Sequence, residues 1–273
     1  MLWTNDGCRR TGLPTAVVRR HRRGFTLIEL LIVITVIALL LAIFAPSFQK
    51  VKIYAIRLMC QANLHEMGNA MAGYVGDNKV FPGHADSKAG SGVVAVWPSR
   101  LRLHMGGSNE AFWCPAQEEG FQWQSVYNSG RSAGPVHVKE WGYKPGEMML
   151  GVHSVPFSYG YNDWGAHGAF WDSGLGGDLW VAGNRWGPRP WSVVQSPGNM
   201  IAIADNTCDG SWDYNIDPTN PWEYPGKIHE EGANFLFVDV HVEWILQEDA
   251  VNVGSSPEGR AMNARWNSSN RPE

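Results

Sequence analysis

Three polar side chains near the C-terminus are candidates for a catalytic or metal-binding set. Nine residues separate His229 from Asp239, and His241 follows shortly after. A histidine and an aspartate can act as general base and orienting group, and both bind divalent metals. However, no nucleophile stands in a Gly-x-Ser-x-Gly frame, and no His-Glu-x-x-His occurs. We therefore expect His229 and Asp239 to tie a turn by hydrogen bonds, with a divalent metal site as the alternative.

A second acidic stretch is a candidate calcium site. Asp205, Asp209 and Asp213 recur along a loop-like segment. Calcium prefers several oxygen ligands on a flexible loop. The spacing departs from an EF-hand loop, because Thr207 and Ile216 stand at the third and twelfth positions. The two interpretations left open are a calcium site and a polar loop built on Asx-turns.

One carboxylate lies inside an apolar run near the N-terminus. From Phe25 to Ala45 there are 21 residues with a single charge, Glu29, and Pro46 follows. A helix of that length is about 30 Å long, which matches the core of a bilayer. A charge there costs about 2.5–3.5 kcal/mol, so Glu29 needs a partner. A secretory signal or a plain membrane anchor leaves Glu29 unexplained, whereas cleavage after Gly24 would create an ammonium group for it at Phe25.

The elements that position these residues follow from hydrophobic periodicity. Apolar residues continue at three- and four-residue spacing after Pro46, which predicts a helix to about Gly76. Its apolar face is most simply the one that packs on the head, and a filament contact surface is compatible with the same residues. This apolar stripe consists of Phe48, Val51, Ala55, Leu58, Ala62, Met67, Ala70, Met71 and Tyr74. Apolar runs at 200–204, 233–238 and 241–245 predict three strands, the second covered on both faces.

Composition and charge restrict the function classes. Residues 1–24 carry six Arg and one Asp, so the rest of the chain has a net charge of −9 within the total of −4. A basic tip on an acidic body argues against nucleic-acid binding and fits an N-terminus at the cytoplasmic membrane face. The 14 Trp, 31 Gly and 16 Pro predict short strands and long loops.

Residues 157–191 are especially rich in Gly and Trp, and no helix or strand period runs through them. We expect an irregular excursion whose aromatic side chains cover the sheet. The alternative is a glycan-stacking surface, because exposed aromatic residues mark binding sites. The tryptophans concerned are Trp164, Trp171, Trp180, Trp186 and Trp191.

At its N-terminus the sequence resembles the type IV pilin superfamily. Gly24-Phe25-Thr26-Leu27-Ile28-Glu29 is similar to the prepilin cleavage and methylation signal. The resemblance implies that a membrane peptidase cuts after Gly24 and methylates Phe25. It also implies that Glu29 pairs with the amine of an adjacent subunit, and that Pro46 lies where many pilins kink.

Further motifs resemble a large pseudopilin-like family. Its members have a Cys-x-x-Asn-Leu helix and a Cys-Pro, which match Cys60 and Cys114. The resemblance leaves two interpretations, a Cys60–Cys114 disulfide outside the cytoplasm or two buried thiols. His229 and Asp239 are similar to the family's H-x9-D-G motif, but Val240 replaces the Gly. Because Val disfavours positive φ, we expect a different turn type or a bulge there. The related major pseudopilins bind calcium in a C-terminal loop, which favours calcium near Asp209.

These observations predict a pilin-like α+β protein: a long N-terminal helix packed on an antiparallel β-sheet head with long loops. The domains expected are a leader at 1–24, a helix at 25–76 that spans the membrane over 25–45 and is an amphipathic stalk over 46–76, and a periplasmic or extracellular head at 77–273. The predicted function is that of a structural, non-enzymatic subunit of a type II secretion or pilus-like filament. Its partners would be the prepilin peptidase and N-methyltransferase, other pseudopilin subunits and the inner membrane. The alternative is a pilin-anchored surface protein with a glycan-binding head, and a weaker third hypothesis is a tethered metal-dependent hydrolase.

Overall fold

The computed structural model describes most of the chain after the basic leader. The described residues are 24–86, 94–95, 97–117, 128–150, 157–164, 174–176, 189–208 and 213–271. The leader up to residue 23, Asp209 and the tryptophans Trp171, Trp180 and Trp186 lie outside them. The chain divides into two compact units, residues 1–49 and residues 50–273.

The first unit contains the start of a long helix, α1, which spans Leu27–Asn78 and continues through Pro46. Its apolar side chains from Leu27 to Phe44 are exposed. Among the described residues, α1 is the one helix long and apolar enough to cross a membrane. Exposed aliphatic side chains over this length are what a bilayer core would cover.

The part of α1 in the second unit contacts the head from Ile56 onward and is buried against it from Cys60 onward. Its buried residues are Cys60, Leu64, Met67, Gly68, Ala70, Met71 and Tyr74. The prediction that the whole apolar stripe packs on the head was wrong for its first turns, since Val51 is 64% and Leu58 46% exposed. Periodicity identifies an apolar face but does not say what covers it.

A five-stranded sheet forms the centre of the head. Its strands are β5 (Tyr159–Asn162), β6 (Ile201–Asp205), β7 (Asn215–Ile216), β8 (Gly232–Phe237) and β9 (Val242–Leu246). Their order is β7-β5-β6-β8-β9. The pairs β5–β6, β6–β8 and β8–β9 are antiparallel, while β5 and β7 run parallel. The predicted α+β layout is therefore confirmed, with a sheet that is mixed rather than wholly antiparallel.

Both faces of β8 are covered, as its sequence predicted. Leu236 belongs to the core cluster that contains the buried side chains of α1. Phe235 and Phe237 face the other cluster, with Trp266 of the C-terminal helix. This alternation follows from the two-residue period of a strand.

Smaller elements complete the described head. Short strands pair antiparallel as β1 (Ala85–Asp86) with β2 (Val94–Ala95) and β3 (Asn128–Ser132) with β4 (Met148–Leu150). The remaining helices are α2 (Trp97–Arg102), α3 (Pro135–Trp141), α4 (Gln247–Ala250) and α5 (Pro257–Trp266). Arg102 is buried and donates to both carboxylate oxygens of Glu147, at 2.8 and 2.6 Å.

The sequence predicted that the hairpin between β8 and β9 would not be the two-residue Asp-Gly type, and the structure confirms this. The backbone N–H of Val240 donates to the Phe237 carbonyl at 2.9 Å, and the Phe237 N–H donates to the His241 carbonyl at 2.9 Å. Val240 nevertheless has φ 79°, in the left-handed region. Valine thus takes the place where such a loop normally has glycine.

Candidate functional site

The N-terminal segment that resembles a processing signal is closed by a hydrogen-bonded cap. The Thr26 backbone N–H and hydroxyl donate to Glu29 Oε2 at 2.8 and 2.7 Å. The Glu29 N–H donates back to Thr26 Oγ1 at 3.2 Å. This reciprocal arrangement is a capping box, which satisfies backbone donors that the first helical turn leaves unpaired. It holds the Glu29 carboxylate at the N-terminal end of α1.

Glu29 keeps one carboxylate oxygen available. Oε1 accepts no hydrogen bond from the described residues, whereas Oε2 binds Thr26. Gly24, Phe25 and Thr26 precede the helix and are exposed. An exposed Gly24–Phe25 junction outside the helix is accessible to a peptidase, and Glu29 Oε1 can accept a hydrogen bond from a cation.

A buried cluster in the head brings together four residues from distant parts of the chain. Cys60 of α1 is joined by a disulfide to Cys114, and their Cα atoms are 5.3 Å apart. The His229 Nε2 atom lies 3.4 Å from Cys114 Sγ and 3.4 Å from Asp205 Oδ2. His229 is 2% exposed, and the other three residues are fully buried.

The surrounding elements hold each member of this cluster. Asp205 is the last residue of β6, and its Oδ2 accepts from the Asn234 backbone and side chain at 2.7 and 2.8 Å. His229 lies just before β8, where the Trp244 indole donates to its carbonyl at 2.8 Å. Asp205 Oδ1 is buried and accepts no hydrogen bond from the described residues.

Burial shifts the protonation of this cluster toward neutral forms. It raises the pKa of Asp205 to about 7, although the two hydrogen bonds from Asn234 favour the carboxylate. It lowers the pKa of His229 to about 4, and the nearby Arg57 adds to this shift. A neutral imidazole at physiological pH leaves a ring nitrogen able to accept a proton or bind a metal.

The structure separates His229 from Asp239 and His241. Asp239 and His241 pair with each other, Oδ1 to Nδ1 at 2.5 Å, and are both 43% exposed. His229 precedes β8 and Asp239 follows it, and a strand of six residues spans about 20 Å. These three residues therefore do not form the single catalytic or metal-binding set considered from the sequence.

The predicted calcium ligands are only partly described. Asp205 faces His229, and Asp213 is 1% exposed, with its carbonyl accepting from the Asn206 side chain at 2.7 Å. Among the described residues, the group of His, Cys, Asp and Glu with ligand atoms within 4.8 Å of one another is Cys60, Cys114, Asp205 and His229. Asp213 is not in it, and calcium at this loop remains a prediction.

The tryptophans considered for glycan stacking divide between core and surface. Trp164 is 3% exposed and belongs to the core, whereas Trp191 is 55% exposed. Sequence reasoning missed the exposed Trp222, 75% accessible, and the buried pair of His84 and Asp163, 3.7 Å apart. No periodic pattern marks these residues, because they lie in irregular segments.

Comparison with known proteins identifies the N-terminal segment. Residues 19–45 match the family model of the prokaryotic N-terminal methylation motif. No curated protein and no solved structure matches the chain. The match supports a type IV pilin or pseudopilin family, and the long apolar helix with its β-sheet head has the corresponding pilin-like layout. The motif and the long apolar helix fit a prepilin-type, membrane-anchored protein, and the motif implies processing by a prepilin peptidase and assembly with other pilin subunits.

Proposed function

We propose that this chain is a pseudopilin, a structural subunit that is cut after Gly24, methylated at Phe25 and added to a type II secretion or pilus-like filament. The observation that carries this proposal is the methylation motif over residues 19–45, with Glu29 at the start of an apolar helix. The chain's role is mechanical, and the chemistry is performed on it by the peptidase.

The capping box supports this role for Glu29. Hydrolysis of the Gly24–Phe25 peptide bond leaves an ammonium group at Phe25, next to Thr26. Thr26 holds one oxygen of Glu29, and Oε1 is left to accept from an amine. Pairing with the amine of a neighbouring subunit would offset the cost of a carboxylate in a membrane helix, which is about 2.5–3.5 kcal/mol.

Exposed apolar residues of α1 in the second unit supply a contact surface. Val51, Ile53, Tyr54, Leu58 and Met59 are each 46–64% exposed. An unpartnered apolar surface of this kind marks a protein or membrane contact. Packing against the equivalent helices of neighbouring subunits would bury it.

The arrangement in the membrane follows from charge. The basic leader would remain in the cytoplasm and the head would be periplasmic, as the positive-inside rule predicts for short flanking segments. A disulfide between Cys60 and Cys114 is consistent with a head outside the cytoplasm.

Mass spectrometry of the protein purified from the host membrane tests the processing step. The expected mature chain begins at N-methylated Phe25. A chain that keeps residues 1–24, or one cut near Ala45, would contradict the proposal. A Gly24→Leu variant should remain unprocessed, because the peptidase of this superfamily cuts after glycine.

Filament incorporation tests the role of Glu29. We expect Glu29→Gln to be processed but to enter filaments at least tenfold less than the parent chain. Glu66→Gln, which changes an exposed glutamate later in the same helix, is the matched control and should assemble normally. Equal incorporation of both variants would remove the assembly role from Glu29.

A further inference from the structure

We propose that Cys60, Cys114, Asp205 and His229 bind one Zn²⁺ ion when the two cysteines are reduced. The disulfide and the metal are then alternative cross-links between α1 and the head. This inference concerns the head alone and does not depend on filament assembly.

Two distances between the candidate ligand atoms match a tetrahedral zinc site. With Zn–S bonds of about 2.3 Å and Zn–N or Zn–O bonds of about 2.0–2.1 Å, neighbouring ligand atoms lie about 3.3–3.8 Å apart. The His229 Nε2 atom is 3.4 Å from both Cys114 Sγ and Asp205 Oδ2. All four ligand atoms lie within 4.8 Å of one another. Once the sulfur–sulfur bond is broken, the sulfur atoms need only separate to about 3.8 Å.

The donor set suits zinc better than calcium or magnesium. Two thiolates and an imidazole are the soft and intermediate ligands that zinc prefers, and a carboxylate completes four-fold coordination. Asp205 Oδ1 is buried without a hydrogen bond from the described residues, so a cation bound to this carboxylate would stabilise a group that these residues leave partly unsatisfied. Asn234 meanwhile holds Oδ2 through two hydrogen bonds, which is the supporting contact that orients ligands in metal sites.

The change from disulfide to metal site is a balanced redox step. A small dithiol transfers two electrons and two protons to the Cys60–Cys114 disulfide and itself becomes a cyclic disulfide. Zn²⁺ then displaces the two thiol protons and forms two Zn–S bonds. A disulfide oxidant reverses the step, because it takes two electrons from the thiolates, re-forms the sulfur–sulfur bond and releases Zn²⁺.

Burial makes this a structural site. Cys60, Cys114 and Asp205 have no exposed surface, and His229 is 2% exposed. Four protein ligands leave no open position for substrate, so the ion would not be catalytic. It would enter as the reduced chain folds and would tie α1 to β6 and the turn before β8.

Cobalt binding to the reduced chain tests the proposal. The full chain in detergent is reduced with a phosphine, which is removed without air, and is unfolded and refolded with Co²⁺ alone. We expect one Co²⁺ per chain, with the intense visible bands of tetrahedral cobalt and a thiolate-to-cobalt charge-transfer band. One equivalent of Zn²⁺ should displace the cobalt and abolish these bands. The disulfide form should show neither band. If the refolded, reduced chain gives no tetrahedral spectrum, the proposal is overturned.

Four variants test the ligand assignment. His229→Ala and Asp205→Asn should each weaken Co²⁺ binding at least tenfold. Cys208→Ser, at a half-buried cysteine that forms no disulfide within the described residues, and His241→Ala, at an exposed histidine, should bind as the parent chain does. Unchanged binding in both ligand variants would overturn the assignment.

X-ray absorption at the zinc edge of the parent chain keeps the test independent of how the variants fold. We expect two sulfur and two nitrogen or oxygen neighbours around zinc. A shell of four sulfurs, or one without sulfur, would contradict the site. Near-UV circular dichroism of each variant in its disulfide form establishes whether the variant folds.

Discussion

At the residue scale, the turn that carries His229 stores backbone strain. His229 and Gly232 exchange backbone hydrogen bonds of 3.0 and 3.2 Å across Glu230 and Glu231. These two glutamates have φ 53° and 65°. A two-residue turn of this type favours Asn-Gly, and a residue with a Cβ costs about 1–2 kcal/mol in the left-handed region. The 3.2 Å ion pair of Glu230 with Arg57 offsets part of that cost.

Replacing Glu231 by glycine should therefore stabilise the head. We expect Glu231→Gly to raise the free energy of unfolding by about 0.5–1 kcal/mol, since glycine removes the strain but increases the entropy of the unfolded chain. Chemical denaturation measures this change. Glu231→Ala is the control, because it removes the same charge and keeps the Cβ. An equal gain for Glu231→Ala would mean that charge, not backbone strain, is responsible.

Another residue-scale prediction concerns pH. Burial and the neighbouring Asp217 raise the pKa of Glu223 to about 7. The folded chain therefore retains this proton between pH 4.5 and 7 while the unfolded chain loses it, so this group's contribution to stability falls as pH rises through that window. At pH 8 we expect Glu223→Gln to be more stable than the parent by roughly 2 kcal/mol, with no gain at pH 4.

Thermal unfolding followed by circular dichroism at pH 4 to 8 measures the difference between the two chains. Asp217→Asn should lower the pKa of Glu223 and reduce the pH dependence in the parent background. A constant difference between Glu223→Gln and the parent across this pH range would show that Glu223 does not titrate in it.

At the scale of elements, α1 lies close against the β8–β9 hairpin at Gly68. A Cβ at Gly68 would lie 2.7 Å from Leu236 Cδ1 and 2.9 Å from Val240 Cγ1. Both contacts are shorter than side chains tolerate without moving. The glycine, which weakens an isolated helix, is therefore required by packing.

We expect Gly68→Ala to destabilise the head by about 1–3 kcal/mol, because extra volume in a packed core forces neighbours to shift. Gly76→Ala is the matched control in the same helix. No atom lies within 4 Å of a Cβ there, so it should be neutral or stabilising by up to about 1 kcal/mol. Chemical denaturation of both variants checks this. Adding Val240→Gly to Gly68→Ala should restore part of the lost stability. If the effects of the two substitutions on the free energy of unfolding simply add, the contact between a Cβ at residue 68 and Val240 is contradicted.

The elements with strong periodicity could be predicted from sequence. The predicted strands at 200–204, 233–238 and 241–245 differ from β6, β8 and β9 by one residue at each end. β5 was missed because it lies in the irregular Gly- and Trp-rich stretch. The four-residue cluster was not predicted as a unit, since its members come together only through the tertiary fold. The sequence identifies the residues that can bind a metal, but it does not show which of them lie close together in the fold.

At the scale of the whole molecule, the disulfide restricts the conformational freedom of the unfolded chain. It links residues separated by 54 positions. Removing such a link is expected to lower the free energy of unfolding by about 2–4 kcal/mol. We expect the double variant Cys60→Ser/Cys114→Ser to show this decrease in the free energy of unfolding, measured by denaturant unfolding in metal-free buffer. Cys208→Ser is the control and should change stability by less than about 1 kcal/mol. A Cys60/Cys114 variant as stable as the parent would contradict the role of the bond.

The position of that bond also determines how the head bears load. Cys60 is the first fully buried residue of α1, and the packed side chains from Leu64 to Tyr74 follow it. A pull on the N-terminal end of α1 therefore reaches the disulfide before the fully buried part of the helix, after only the partly buried Ile56 and the Arg57–Glu230 ion pair. Separation of α1 from the head stops at Cys60, because the disulfide transmits the force to Cys114 in the head. In single-molecule pulling from the N-terminus, we expect the head of the disulfide form to open at higher force than the Cys60→Ser head, and equal forces would contradict this load path.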